Sequence, residues 1–262
     1  MTNRRRRSRT RSLLRWTMPL MVGVSLSLIA GNQGRGEQVA DKGADSSPKK
    51  VKLTGEDLSA WQEPHGEWAT VGAAEMDSGD PKRISVTPGQ GVIYNGPNGR
   101  TVNLLSVLEH GDVIAHIEFM VPQGSNSGVY FQGRYEIQVF DSWGVEHPKY
   151  SDCGGIYQRW GAQGGFEGTS PRVNASRKPG EWQTFDVIFR APRFDESGKK
   201  VENARFIKVL HNGVLVHENV EVTGPTRAAR FEDEKAVGPL MLQGDHGPVA
   251  YRNIRIQPTL LP

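Results

Sequence analysis

The chain has 262 residues, with 32 Lys and Arg, 29 Asp and Glu, and 36% hydrophobic residues. That balance excludes a disordered or collagen-like chain and is enough for one filled core. Eleven of the basic and three of the acidic residues fall in the first 50 positions, which leaves 21 basic against 26 acidic residues beyond them. The basic excess thus belongs to the N-terminal leader, and nucleic acid is excluded as its partner.

In the leader, Arg4 to Arg7, Arg9, Arg11 and Arg15 precede an apolar run from Met18 to Ala30. Charged residues, then apolar ones, then small ones is the layout of a secretory signal. A signal peptide is expected over residues 1–36, cut after Ala30 or nearer Gly36 or Ala40. The run is short for a membrane span and contains Pro19, so no stable membrane insertion is expected after cleavage. An uncleaved signal anchor is the alternative. Residues 37–50 read as a disordered polar spacer, and the folded body is expected over 51–262. Cys153 is the single cysteine, so no intrachain disulfide can form. An exported, disulfide-free body fits the periplasm or cell surface of a Gram-negative-type bacterium. Cys153 itself is expected to be a partly buried bystander.

Leu53 to Trp61 hints at a turn of helix capped by Thr54. From there on, alternating apolar residues predict strands at 68–71, 83–87, 113–121, 182–189, 204–210, 214–216, 240–242 and 251–256. Asn95 to Gly99, Lys178 to Gly180 and Gly224-Pro225 read as turns, and Asn212-Gly213 is a two-residue hairpin signal. No internal repeat is present. Trp61, Trp68 and Trp182 are expected in the core. Trp160 and Gly161 to Phe166 read as a mobile insertion, with Trp160 either a stacking platform or loop packing. Many short strands in about 210 residues predict an all-β fold, a two-sheet antiparallel β-sandwich of jelly-roll type.

Ser125 to Gly144 is the most informative stretch. It predicts strands from Gly128 to Gln132 and from Tyr135 to Phe140 about a Gly133-Arg134 turn. Alternation puts Glu136 and Gln138 on one face, with Ile137 and Val139 on the other. A carboxylate and an amide on one strand face, with Tyr130, Gln132, Tyr135 and Trp143 nearby, suit a sugar: aromatic faces stack on pyranose rings, and planar polar groups hydrogen-bond hydroxyls. The loop from Ser142 to Gly155, with His147-Pro148, is expected to wall the cleft.

Five segments carry a family resemblance: Asn126 to Ser142, Cys153-Gly-Gly-Ile-Tyr157, Pro179 to Asp186, Phe189 to Asp195 with Asn212 to Val216, and Gly238 to Ile254. In this order they resemble the 3-keto-disaccharide hydrolase domain family, frequent in exported bacterial proteins. The resemblance spans Val51 to Ile256 and implies a concanavalin A-like jelly roll acting on glycosides oxidised at C3. Glucanases on that fold carry Glu-x-Asp-x-x-Glu on one strand, with a bulge bringing the outer acids together. Here the run is Glu136-Ile-Gln138-Val-Phe-Asp141, which keeps the first acid and departs at the other two. A retaining glycosidase needs two carboxyl groups about 5 Å apart, so the departure weakens a glucanase reading.

A 3-keto sugar asks for less. The ketone acidifies the C2 proton, so one base can form an enolate, the C1 group leaves, and water adds back. Glu136 and His246 are the candidate bases, and Asp141 is a further candidate catalytic carboxylate. Arg134 and Arg252 are candidates to hold the oxyanion. Gln132, Gln138 and Gln243 would orient hydroxyls, and Tyr130 and Trp143 would face the sugar. The expected partner is an oxidised di- or oligosaccharide or glycoside. No metal site or cofactor is expected, although Asp245 with backbone oxygens leaves a divalent cation such as Ca2+ open. The alternative is a non-catalytic, lectin-like glycan-binding module on the same fold.

Overall fold

The computed structural model describes residues 49–262; the expected leader and nearly all of the spacer lie outside the described residues. The strands are β1 (Val51–Lys52), β2 (Ala69–Met76), β3 (Ile84–Tyr94), β4 (Leu104–His110), β5 (Val113–Met120), β6 (Asn126–Phe131), β7 (Tyr135–Phe140) and β8 (Arg159–Gly161). They continue as β9 (Gly164–Phe166), β10 (Gln183–Arg190), β11 (Arg193–Phe194), β12 (Lys200–Glu202), β13 (Ala204–His211), β14 (Val214–Val222), β15 (Gly238–Leu242) and β16 (Ala250–Pro258). The larger sheet runs β14-β13-β10-β5-β16-β3-β2, with β1 also paired to β16. The smaller runs β4-β15-β6-β7, and β8–β9 and β11–β12 are separate ribbons. Every pairing within the two sheets is antiparallel. The fold is the expected all-β sandwich. No helix among the described residues is long and apolar enough to cross a membrane.

One core lies between the sheets. Ile117, Phe119, Phe185, Phe189, Phe206 and Ile256 of the larger sheet cluster with Val129, Phe131, Ile137, Val139 and Leu240 of the smaller. Phe131, Phe189 and Phe206 stand 5.2 to 5.5 Å apart, centroid to centroid. Truncating one such ring to alanine would cost about 3–5 kcal/mol. With Ile137 and Val139 committed to this core, the pleat sends Glu136 and Gln138 to the outer face of the smaller sheet.

The Asn212-Gly213 turn forms as expected, both residues having positive φ (51° and 80°) as a two-residue hairpin requires. Two local expectations are corrected, and one strand gave no signal in the sequence. Leu53 to Trp61 forms bends and a turn, not helix: the Trp61 indole is buried and donates to Leu53 O at 2.9 Å, so packing fixes this segment. Residues 159–166 are an ordered ribbon, paired Arg159 to Phe166 and Trp160 to Gly165. β4, an edge strand written Leu-Leu-Ser-Val-Leu-Glu-His, has no clean alternation to announce it. Of the tryptophans, Trp61 and Trp68 are core, while Trp182 is half-buried against a smaller cluster on the larger sheet.

Candidate functional site

The outer face of the smaller sheet carries a cleft of about 350 Å3, lined by residues that include Tyr130, Glu136, Gln138, Tyr157, Arg227 and His246. β6 and β7 pair in unbroken register, Tyr130 opposite Glu136 and Gly128 opposite Gln138. An ideal Cβ on Gly128 would meet the Glu136 carboxyl and the Tyr130 ring, so the missing side chain seats that carboxyl. β7 is the sheet's edge, and segment 154–157 covers it: Gln138 N donates to Gly155 O and Tyr157 N to Glu136 O, at 2.8 and 3.2 Å. That pairing brings Tyr157 beside Glu136.

The loop after β14 continues the wall along the same edge. Glu136 N donates to Thr226 Oγ1 at 3.1 Å, Arg227 N to Gln158 O at 2.8 Å and Arg230 N to Gly133 O at 2.9 Å. These bonds hold Arg227 in the cleft and Ala228 at φ 62°, a left-handed conformation that a non-glycine residue adopts at a cost. The guanidinium of Arg227 lies over the Trp160 ring, 4.1 Å from its centroid.

Glu136 is the one carboxylate among the described residues lining the cleft. Burial pushes its pKa up to about 8; hydrogen bonding with the Tyr130 hydroxyl opposes the rise, and the Asp245 charge adds to it. Burial above all, and then the Glu136 charge, raise the Tyr130 phenol as well, so it stays a neutral donor. Tyr130 also reaches Arg227 O at 3.3 Å. Gln138 Nε2 donates to Ser151 O at 3.2 Å, while among the described residues Gln138 Oε1 and Asn126 Oδ1 have no hydrogen-bond partner. Both side chains line the cleft, with these two oxygens buried beneath its surface. His246 Nδ1 meets Asp245 Oδ1 at 2.6 Å, leaving Nε2 free of that contact. Among the described residues no cluster of three or more His, Cys, Asp or Glu side chains could hold a metal ion.

The structure therefore brings Tyr130, Glu136, Gln138, Gln243 and His246 together and places five other expected site residues elsewhere. Asp141 lies just past the end of β7, which has no bulge to turn it toward Glu136, and it does not line the cleft; its carboxylate accepts from Gly124 N at 2.9 Å. Gln132 is buried at the hairpin turn and donates to Ala236 O at 2.9 Å. Arg134 is also buried, paired to Asp233 at 2.8 Å with its guanidinium 4.6 Å from the Phe231 ring centroid. It organises the 231–234 loop. Arg252 belongs to the larger sheet, bonded to Glu118 at 2.6 Å and stacked on Trp182 at 4.0 Å. Trp143 is an exposed loop residue near Lys178. In the Ser142 to Gly155 loop, Cys153 is buried with its thiol pushed up to about 12, which fits the bystander reading. Sequence reasoning missed Arg227 altogether; Tyr157 and Asn126 stood in recognised motifs without a role.

The family model for the 3-keto-alpha-glucoside-1,2-lyase-like domain matches residues 49–257. The chain belongs to this family. A solved structure of a candidate glycosyl hydrolase from Parabacteroides distasonis is 31% identical, with a TM-score of 0.60, over 80% of this chain and 84% of that one. A second from the same organism, at 20% identity and a TM-score of 0.52 over 80% of this chain and 100% of that one, shares the fold. No curated protein matches the chain. Family and neighbours together support a carbohydrate-active protein.

Proposed function

We propose that the protein is an exported enzyme that cleaves 3-keto-glycosides or 3-keto-disaccharides by elimination. The observation that carries the reading is the single buried carboxyl of Glu136 on the cleft floor, its pKa raised to about 8. A lone carboxylate cannot supply the pair that double displacement needs. It can supply one base, and a base titrating near the working pH combines strength with a usable ionised fraction.

Glu136 takes the proton from C2, and the electron pair moves into an enolate whose negative oxygen is the former C3 ketone. Arg227 faces that oxygen. Collapse of the enolate expels the C1 oxygen, which takes a proton from His246 Nε2. The products are an alcohol or sugar and a 2-hydroxy-3-keto-glycal; addition of water across C1 and C2 gives the 3-keto sugar, a net hydrolysis. Gln138 and Asn126 line the cleft where the sugar's hydroxyls lie. The basic and then apolar leader supports export to the periplasm or cell surface.

The test is incubation of the protein with 3-keto-trehalose in D2O, followed by mass spectrometry against an enzyme-free control. Elimination with hydration predicts consumption of the substrate and one solvent deuterium at C2 of the product. Direct hydrolysis leaves C2 unlabelled, and a lectin-like module binds without consuming anything; either result refutes the proposal.

A further inference from the structure

We infer that Trp160 is a platform for a second sugar ring beside the cleft, so that the favoured substrate carries a sugar, not a small alcohol, as its leaving group. The inference rests on the carbohydrate cleft described above and names its substrate class.

One face of the β8–β9 ribbon is anchored by polar contacts. Arg159 and Phe166 are cross-strand partners and share that face. Arg159 lies 5.0 Å from the Phe166 ring centroid and donates to Thr223 Oγ1 at 2.6 Å, and Thr223 in turn donates to Glu167 at 2.7 Å. The other face carries Trp160 opposite Gly165, which has no side chain to cover the indole. Gln158 fills the space where a Gly165 side chain would stand, and Arg227 covers one face of the indole.

Arg227 is the link to the cleft. It lines the cavity and its guanidinium rests on the indole, so Trp160 continues the wall outward by one ring. Yet the indole remains 54% exposed, more than a ring covered on both faces would leave. A large aromatic surface more than half exposed next to a polar cleft is poised for a ligand. Its flat face matches the C–H face of a pyranose.

The test compares wild type, Trp160→Ala and Trp160→Phe on 3-keto-trehalose, whose leaving group is glucose, and on methyl 3-keto-glucoside, whose leaving group is methanol. Trp160→Ala is expected to lose about tenfold more kcat/KM on the disaccharide than on the methyl glycoside, mainly through KM, with Trp160→Phe recovering most of the difference. Equal losses on the two substrates overturn the inference. Trehalose binding is measured by calorimetry in parallel. If the wild type consumes neither substrate, the cleavage reading fails, and binding then decides the platform. A roughly tenfold weakening in Trp160→Ala supports it; unchanged binding, or none in the wild type, overturns it.

Discussion

A Cβ added to Gly128 would stand 2.2 Å from Glu136 Oε1 and 2.9 Å from Tyr130 Cε2. Gly128 has no left-handed φ to explain it, so space alone is what a glycine supplies there. Gly128→Ala should therefore act on the carboxyl and not on the backbone. The atom met is the end of a side chain that can swing aside, so the fold persists. A displacement of the order of 1 Å at the base should lower kcat/KM about 100-fold. Circular dichroism melts beside the kinetics separate the two effects, and a variant with wild-type activity would mean the carboxyl needs no such seat.

With Glu136 as the base, only its ionised form works. Since burial raises its pKa to about 8, kcat/KM should climb as pH rises toward that value. Glu136→Gln should lose about 10²- to 10⁴-fold and lose the limb with it. A rising limb that survives in Glu136→Gln would remove Glu136 as the base.

The sandwich and the strand that carries Glu136 were legible because alternation in Glu136-Ile-Gln138-Val139 is forced once Ile137 and Val139 enter the core. Gln243 and His246 were legible as neighbours through their motif. Arg134 and Arg252 misled, because an arginine next to a functional strand looks the same in sequence whether it faces the cleft, a loop or the other sheet. Their ion pairs with Asp233 and Glu118 are long-range contacts that no local pattern records. Arg227 was missed for the converse reason. It sits in a loop without periodicity, held at the cleft where its neighbour Thr226 accepts from Glu136 N and its own N donates to Gln158 O, two partners remote in sequence.

Arg227 is the cation facing the cleft, so Arg227→Ala should cost about 10²- to 10³-fold in kcat, the range seen for loss of one oxyanion donor. Arg227→Lys keeps the charge but loses the planar stack on Trp160, and should recover only part of the rate. Arg252→Ala, on the larger sheet, should change kcat/KM less than about twofold; ordinary single substitutions away from a site have small effects. A reversed ranking of the two arginines would remove Arg227 from the mechanism.

Three buried histidines set the acid stability. His110, His211 and His217 are each held neutral, chiefly by desolvation, with pKa lowered to about 4, 3 and 4. Their rings donate to Gly111 O, Gln183 Oε1 and Gly154 O at 2.8, 2.9 and 2.7 Å. Because these values lie below the unfolded value of about 6.5, the unfolded chain takes up protons first as pH falls. Their stabilisation is fully present above about pH 6.5 and is lost progressively toward pH 4. At pH 5 the loss is on the order of 2 kcal/mol per histidine. Glu136 acts in the opposite sense: its raised pKa makes its contribution largest below about pH 4.5 and diminishing as pH rises toward 8. Glu136→Gln removes that opposing slope, so the variant should be more stable than wild type at pH 7.5. Its urea midpoint should then fall steeply between pH 7.5 and 5, a window above the titration of the pKa-lowered carboxyls Asp112 and Glu118. A flat midpoint across that window in Glu136→Gln would show that the three rings are not held neutral by the fold.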